Sequence, residues 1–486
     1  MLPLPHFHSH VQPEKTMPRI ALLCVAYVLG CQTVFAAPPL PPEAYRPVIA
    51  CEDFLESLGL AASPFDAYLS EGRFAGAGTK YPPEFFFDLG IRYYRTGLRH
   101  DLTHDDQPAK VHEWRRKTGA RPMLLVDPRK SFTLKDDGRN IPEDGDFSRL
   151  IDDLKRYRSD DVALVEAPNE LNNKFPPQEL NLEYKGLIDE AAGTLYQRDL
   201  AAALKSDPAT ARIPLVNYTA IFTDYTEAKP CDAFDFNNMH SYQGEGVPSS
   251  SLMMNITRSN NILPVGATTK PFMPTECGYN VEEDKTNQQG YRGTLCAQAY
   301  NIPMLYAEYK RCGVRRTFLF ALHNADGYGL LESDQETKRP SWYAVKSFVA
   351  LFKDATWNGE KMEWVPPTAT PAPLRALPFE IRSAPPTVHT LLLRHSSGDF
   401  FVLVWNEIPN LQNGRNLDNP PVGAVLAFDP AYVVEAVGHW RQGDLPENPY
   451  ASEAGVRAAE FKEQPLPAIG TGGEMPLDIP SRVVVL

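Results

Sequence analysis

The chain has 486 residues, 43% hydrophobic and 22% charged, a globular balance that excludes disorder over the whole length and gives room for a large core or two domains. Its 61 acidic residues against 48 basic ones leave a formal net charge of −13, which argues against a nucleic-acid partner, because phosphate binding needs clustered positive charge. Uncharged or cationic ligands suit that balance better than polyanions.

In chain order, Met17-Pro18-Arg19 leads into the apolar run Ile20 to Gly30. The run has the length of a signal-peptide core and falls short of the roughly 20 apolar residues a membrane span needs. Val34-Phe35-Ala36 places small residues where a signal peptidase reads. Residues 1–37 are therefore expected to be a signal peptide with an N-terminal extension, and the protein to be secreted or periplasmic with no integral membrane span. Val28-Leu29-Gly30-Cys31 offers a second reading, a lipoprotein anchor at Cys31, which Leu29 suits poorly. Beyond the leader lie Cys51, Cys231, Cys277, Cys296 and Cys312, an odd set with no CxxC pair and no Cys/His spacing for zinc, so no disulfide is assigned and no metal is expected.

From about residue 57, short apolar runs alternate with amphipathic stretches. The strands are expected at Leu58 to Ala62, Ile91 to Gly97, Met123 to Asp127, Val162 to Ala167, Ile213 to Tyr218, Phe234 to His240, Phe272 to Thr275 and Thr317 to Leu322. The clearest helical patterns are Phe147 to Tyr157, Leu180 to Lys205, Gln288 to Arg311 and Trp342 to Phe352. Eight such units in roughly 300 residues fit an α/β fold, a (β/α)8 TIM barrel over residues 38–355. The alternative, an open doubly wound sheet, would open on a glycine-rich turn that the sequence lacks. The Pro-rich stretch Val365 to Pro373 admits neither helix nor central strand. After it, Thr387 to Arg394, Phe400 to Trp405, Gly423 to Phe428, Tyr432 to Val437 and Arg482 to Leu486 read as strands of a small all-β sandwich over residues 356–486. Residues 38 to 54 are candidates for one further strand of it.

The sharpest local signal is Ala163-Leu164-Val165-Glu166-Ala167-Pro168-Asn169-Glu170, a buried strand running straight into Asn-Glu. In a barrel, groups at the C-terminal ends of strands face the ligand. A partly desolvated Glu170 there suits a general acid. Lys270-Pro271-Phe272-Met273-Pro274-Thr275-Glu276 supplies a second carboxylate at another strand end. With two strands between them, the pair occupies strands four and seven.

This pattern resembles the retaining (β/α)8 glycoside hydrolases of clan A, most of all family 39 and its relatives. Supporting texture lies in Gly90-Ile91-Arg92-Tyr93-Tyr94-Arg95-Thr96-Gly97, in Tyr328-Gly329-Leu330-Leu331-Glu332-Ser333-Asp334 and in Lys338-Arg339-Pro340-Ser341-Trp342-Tyr343. The resemblance implies hydrolysis of a poly- or oligosaccharide without a cofactor, with Glu170 as acid/base and Glu276 as nucleophile. It implies that Asn169 binds the sugar 2-hydroxyl, that Arg95 holds the nucleophile charged, and that His240 or Tyr242 contacts the nucleophile. Asn217 and Tyr218, at the end of strand five, are candidates to line the cleft. Many clan members carry a Trp platform at the end of strand eight. Here His323 or Asn324 stands in its place, or the loop Ala325-Asp326-Gly327-Tyr328 supplies an aromatic, which leaves sugar specificity open. The alternatives are an exo-acting, xylosidase-like β-glycosidase, a polysaccharide lyase, and a non-catalytic carbohydrate-binding barrel.

Overall fold

The computed structural model describes residues 9–10, 47–62, 81–98, 107–127, 145–158, 160–172, 182–221, 225, 228–281, 293–323, 327–367, 373–374, 376–429, 433–434, 438–470 and 473–486. The apolar run and cleavage site of the expected signal peptide lie outside them. So does Asn324. Upstream, Ser9–His10 pairs antiparallel with Val433–Val434.

Eight parallel strands form one sheet. Strand one is Leu58–Ala61, two Tyr93–Gly97, three Arg121–Leu125, four Leu164–Glu166 and five Leu215–Val216. Strand six is Ser241–Tyr242, seven Cys277–Gly278 and eight Thr317–Leu319. Neighbours follow the order six, seven, eight, one, two, three, four, five. A parallel bridge from Val216 to Phe236 brings strand five against the segment entering strand six. The fold is therefore TIM-like, and the open-sheet alternative is set aside.

Side-chain alternation explains why these strands read as unbroken apolar runs. Tyr93, Met123, Leu164, Val216, Met273 and Phe318 make one buried cluster inside the ring. Their chain neighbours Tyr94, Leu124, Val165 and Leu215 join the larger core outside it, under the helices. Gly59 belongs to this packing, since a Cβ there would lie 2.6 Å from the Phe318 ring.

The expected helices appear at Ser148–Lys155, Asp189–Ser206, Leu295–Arg311 and Pro340–Leu351. Two more, Gln107–Thr118 and Leu252–Asn260, were not expected. Their buried stripes are Gln107, Val111, Arg115 and Leu252, Asn255, Ser259, helical in spacing but largely polar, so no apolar period marks them. Gln107 accepts from the Tyr157 hydroxyl at 2.7 Å and Arg115 donates to Asp161 at 2.9 Å. Strands six and seven also pair later than expected. Over Phe234 to His240 and Phe272 to Thr275 only isolated bridges form, at Phe236, Asn237 and Phe272. Pro274 has no N–H to give, and the Thr275 N–H goes to the Asn238 side chain at 3.1 Å instead of a ladder carbonyl.

Two mainly antiparallel sheets are built mostly from residues after the barrel. One has six strands in the order Val48–Ala50, Val388–Arg394, Phe400–Asn406, Val484–Val485, Trp440–Gln442 and Phe461–Glu463. The other has Phe379–Arg382, Val422–Phe428 and Glu474–Ile479. Leu392, Phe400, Val402 and Val404 face the smaller sheet, in one cluster with Phe379, Leu426 and Leu477. Leu391, Leu393, Phe401, Leu403 and Trp405 point the other way and join the core of the barrel helices. The first strand, Val48–Ala50, comes from before the barrel and pairs parallel to Leu392–Arg394, as foreseen for residues 38 to 54. With one face of the six-stranded sheet buried against the barrel, limited proteolysis in the 366–373 stretch is expected to leave both pieces associated on gel filtration. Ready release of a free barrel fragment would contradict this.

A charged knot joins the two parts. His389 Nδ1 lies 2.9 Å from Glu308 Oε2 on helix Leu295–Arg311 and 3.3 Å from Glu407 Oε2. Arg311 donates to both Glu308 oxygens, at 2.8 and 2.6 Å. Ser249 donates to Glu407 through its N–H at 2.9 Å and its hydroxyl at 2.7 Å. Burial alone would push the Glu308 carboxyl up, but Arg311 and His389 outweigh it and bring its pKa down from 4.5 to about 2. A depressed carboxyl contributes stability above its unfolded pKa and loses it as pH falls through the folded one. Between pH about 4.5 and about 2, Glu308→Gln should therefore lose less thermal stability than the unaltered chain, starting from a lower midpoint at neutral pH. Parallel curves would contradict this.

Candidate active site

Strand four hands over to the turn Ala167-Pro168-Asn169-Glu170, which both neighbouring strands hold. The Asn169 N–H donates to Asp127 Oδ2, beyond strand three, at 2.8 Å. The Glu170 N–H donates to Thr219 Oγ1, beyond strand five, at 2.8 Å. The Thr219 N–H returns to the Pro168 carbonyl at 3.0 Å. Held this way, Glu170 adopts φ +41, a left-handed conformation that a non-glycine residue keeps only where its surroundings impose it.

Glu276 immediately precedes the paired residues of strand seven and is 7% exposed. Arg95 of strand two donates from Nη1 to Glu276 Oε1 at 2.7 Å. Tyr242 of strand six donates its hydroxyl to Oε2 at 2.6 Å. Glu170 is differently placed: its Oε1 lies 2.8 Å from His240 Nδ1, which is also 3.4 Å from Glu276 Oε2. One oxygen of each glutamate and a ring nitrogen of His240 lie within 4.8 Å of one another. The two carboxylates thus meet at the C-terminal end of the ring in unequal settings. One receives a guanidinium and a phenol, while the other receives an imidazole and is more open to solvent.

Electrostatics follow from that packing. Burial works against a charged His240, but the charge of Glu276 and the hydrogen bond and charge of Glu170 overcome it and, with Arg95 opposing, raise its pKa above the ordinary value. Burial first, and Glu276 next, push the Tyr242 phenol well above its usual range, so it stays a donor. The described residues contain two carboxylate and imidazole groups of a kind that can hold a cation, this one and Glu308 with His389 and Glu407. In each, an arginine already supplies positive charge, and the imidazole already bonds a carboxylate.

Of the residues singled out in the sequence, Arg95, Asn169, Glu170, His240, Tyr242 and Glu276 come together. His240 and Tyr242 both take part, one on each glutamate. Asn169 accepts at Oδ1 from Arg95 Nη2 at 2.7 Å. Asn217 is fully buried at the end of strand five, and its side-chain amide meets no hydrogen-bond partner among the described residues. Tyr218 does not line the cleft as expected: its hydroxyl lies 3.2 Å from Thr194 on helix Asp189–Ser206. His323 is half-buried and edge-on to Phe320 at 6.4 Å between centroids, and burial lowers its pKa to about 4. Tyr328, from the loop that follows, has its ring centroid 5.0 Å from that of Tyr242 and 6.1 Å from that of Phe320. Cys277 is buried and free, like a small core residue.

Three members escaped sequence reasoning: Glu166, Asn238 and Thr275. Thr275 Oγ1 donates to Glu166 Oε1 at 2.6 Å, and Asn238 Nδ2 donates to Thr275 Oγ1 at 2.9 Å. A usable signal was the acid at 166 closing an apolar run, since buried charges occur where a partner neutralises them.

The fold is one found among glycoside hydrolases, and the solved structures similar to this chain include them. One is a family 39 glycoside hydrolase from the gut symbiont Bacteroides cellulosilyticus WH2, with TM-score 0.51 and 13% identity over 90% of this chain and 81% of that one. Another is a glucosidase from Croceicoccus marinus, with TM-score 0.47 and 11% identity over 91% and 96%. No family model matches the sequence, and no curated protein does. Among the described residues no helix is long and apolar enough to cross a membrane.

Proposed function

We propose that the protein is a secreted retaining glycoside hydrolase that cleaves β-glycosidic bonds of a poly- or oligosaccharide. The observation that carries this reading is the pair Glu170 and Glu276, just after strand four and just before the paired residues of strand seven, with one oxygen of each within 4.8 Å of the other. Retaining enzymes need carboxyl groups about 5–5.5 Å apart, whereas inverting ones leave room for a water at about 6.5–9.5 Å. Glu276, oriented by Arg95 and Tyr242, attacks the anomeric carbon while Glu170 gives its proton to the departing oxygen. The covalent glycosyl ester on Glu276 is then hydrolysed by a water that Glu170 deprotonates. Asn169 lies beside the reacting carbon to meet the sugar 2-hydroxyl, and Phe320 with Tyr328 offers an aromatic wall. The catalytic unit covers residues 38–355 and the β-sandwich 356–486, with Val48–Ala50 lent to the latter.

The test is a panel of β-linked polysaccharides and aryl glycosides, with the anomer first released followed by proton NMR. Release of the β-anomer from a β-glycoside supports the reading. Release of the α-anomer would exclude retention, and an unsaturated product absorbing in the ultraviolet would point to a lyase.

A further inference from the structure

Strand four ends on a carboxylate with no solvent exposure, Glu166. A buried charge persists only where it is paired and its lone pairs are used. Arg95 donates to it from Nε at 2.5 Å and from Nη2 at 3.1 Å. Thr275 Oγ1 adds a bond at 2.6 Å and Asn238 Nδ2 another at 3.3 Å. These partners sit on strand two and on the segments of strands seven and six. Two of them border the reacting pair: Arg95 bonds Glu276 and Asn169, and Thr275 precedes Glu276 in the chain.

Resting on the glycosidase reading, we propose that Glu166 is a positioning residue, which aims Arg95 at Glu276 and takes up part of its positive charge. The two-point grip fixes the plane of the guanidinium, so that Nη1 and Nη2 reach Glu276 and Asn169 together. Charge sharing has a separate effect. An arginine facing one carboxylate alone neutralises it strongly and weakens its attack. Divided between two carboxylates, the same arginine holds Glu276 in place and leaves it more electron-rich. Glu166, being wholly buried, acts through Arg95 and Thr275 and never on the sugar.

The experiment is Glu166→Gln in the full chain. Its amide oxygen can still accept from Arg95, but the negative charge is gone. A loss of kcat of at least about tenfold is expected with KM changed by less than about threefold. The acidic limb of the kcat/KM profile should move to lower pH, because all of the Arg95 charge then falls on Glu276. A merely structural role would leave that limb in place. A kcat within twofold of the unaltered enzyme, or a limb that stays or moves to higher pH, overturns the proposal. Should Glu166→Gln not fold, Glu166→Asp keeps the charge and shortens the reach. It should then lose kcat with the limb unmoved, and an unchanged kcat overturns the proposal. A thermal-stability cycle with Arg95→Met needs no turnover. Arg95→Met alone takes the guanidinium from two buried carboxylates, and adding Glu166→Gln should raise its midpoint. Additive midpoints would overturn the coupling, whereas absence of glycoside hydrolysis by the unaltered protein would overturn only the proposed function.

Discussion

Glu276→Gln is expected to lower turnover on every glycoside by on the order of 10⁴-fold or more, since no covalent intermediate can form without the nucleophile. The substitution is nearly isosteric. The Gln oxygen can still accept from Arg95 or Tyr242, which bond the two Glu276 oxygens at 2.7 and 2.6 Å, but its NH2 must face the other donor. Some loss of stability should therefore accompany the loss of activity, and circular dichroism with a thermal scan separates the two. Azide should not restore a retained product, because the missing step is the attack on the sugar itself. Turnover near that of the unaltered chain would show that Glu276 is not the nucleophile.

Glu170→Ala should behave differently on different substrates. An activated aryl glycoside leaves with little protonation, so formation of its glycosyl-enzyme barely notices the lost acid, whereas natural substrates should slow by about 10²–10⁴-fold. Hydrolysis of the intermediate then limits the rate, since Glu170 is also the base for water. Truncation opens space beside His240, whose Nδ1 lies 2.8 Å from Glu170 in the intact site. Azide, small enough to fill that space and nucleophilic without a base, should restore turnover on the aryl substrate. The product should be a glycosyl azide with the substrate's own configuration, after two inversions. An azide of opposite configuration excludes double displacement, and equal losses on both substrate classes would mean that Glu170 only supports the fold.

The barrel was legible because its strands are buried on both faces, so runs such as Leu58 to Ala61 and Met123 to Leu125 stand out as apolar. Glu170 and Glu276 were legible because each follows a buried apolar run at the place where a barrel presents groups to its ligand, whereas Glu166, which closes the strand-four run itself, was passed over. What bound them together was not legible. Arg95 and Glu276 are 181 residues apart, and Arg95 and Glu166 are 71 apart. No local period connects them, and only closure of the ring does. Helices Gln107–Thr118 and Leu252–Asn260 were missed because tertiary hydrogen bonds, rather than an apolar stripe, hold their inner faces.

The strand Val48–Ala50 has a consequence for how the polypeptide is made. It finds its neighbour at Leu392, which is 392 − 48 = 344 positions later. At about 5–20 residues per second, a nascent chain carries that strand unpaired for roughly 17–70 s before its mate has been synthesised. Pairing of such distant segments is slow as well, because the loop between them must close first. The barrel can begin to assemble earlier, but the layer beneath its helices stays exposed until the last hundred residues arrive. A ribosome that stalls or stops near residue 355 would release a product with an unpartnered β-edge and bare apolar helix faces, a natural client for chaperones and proteases.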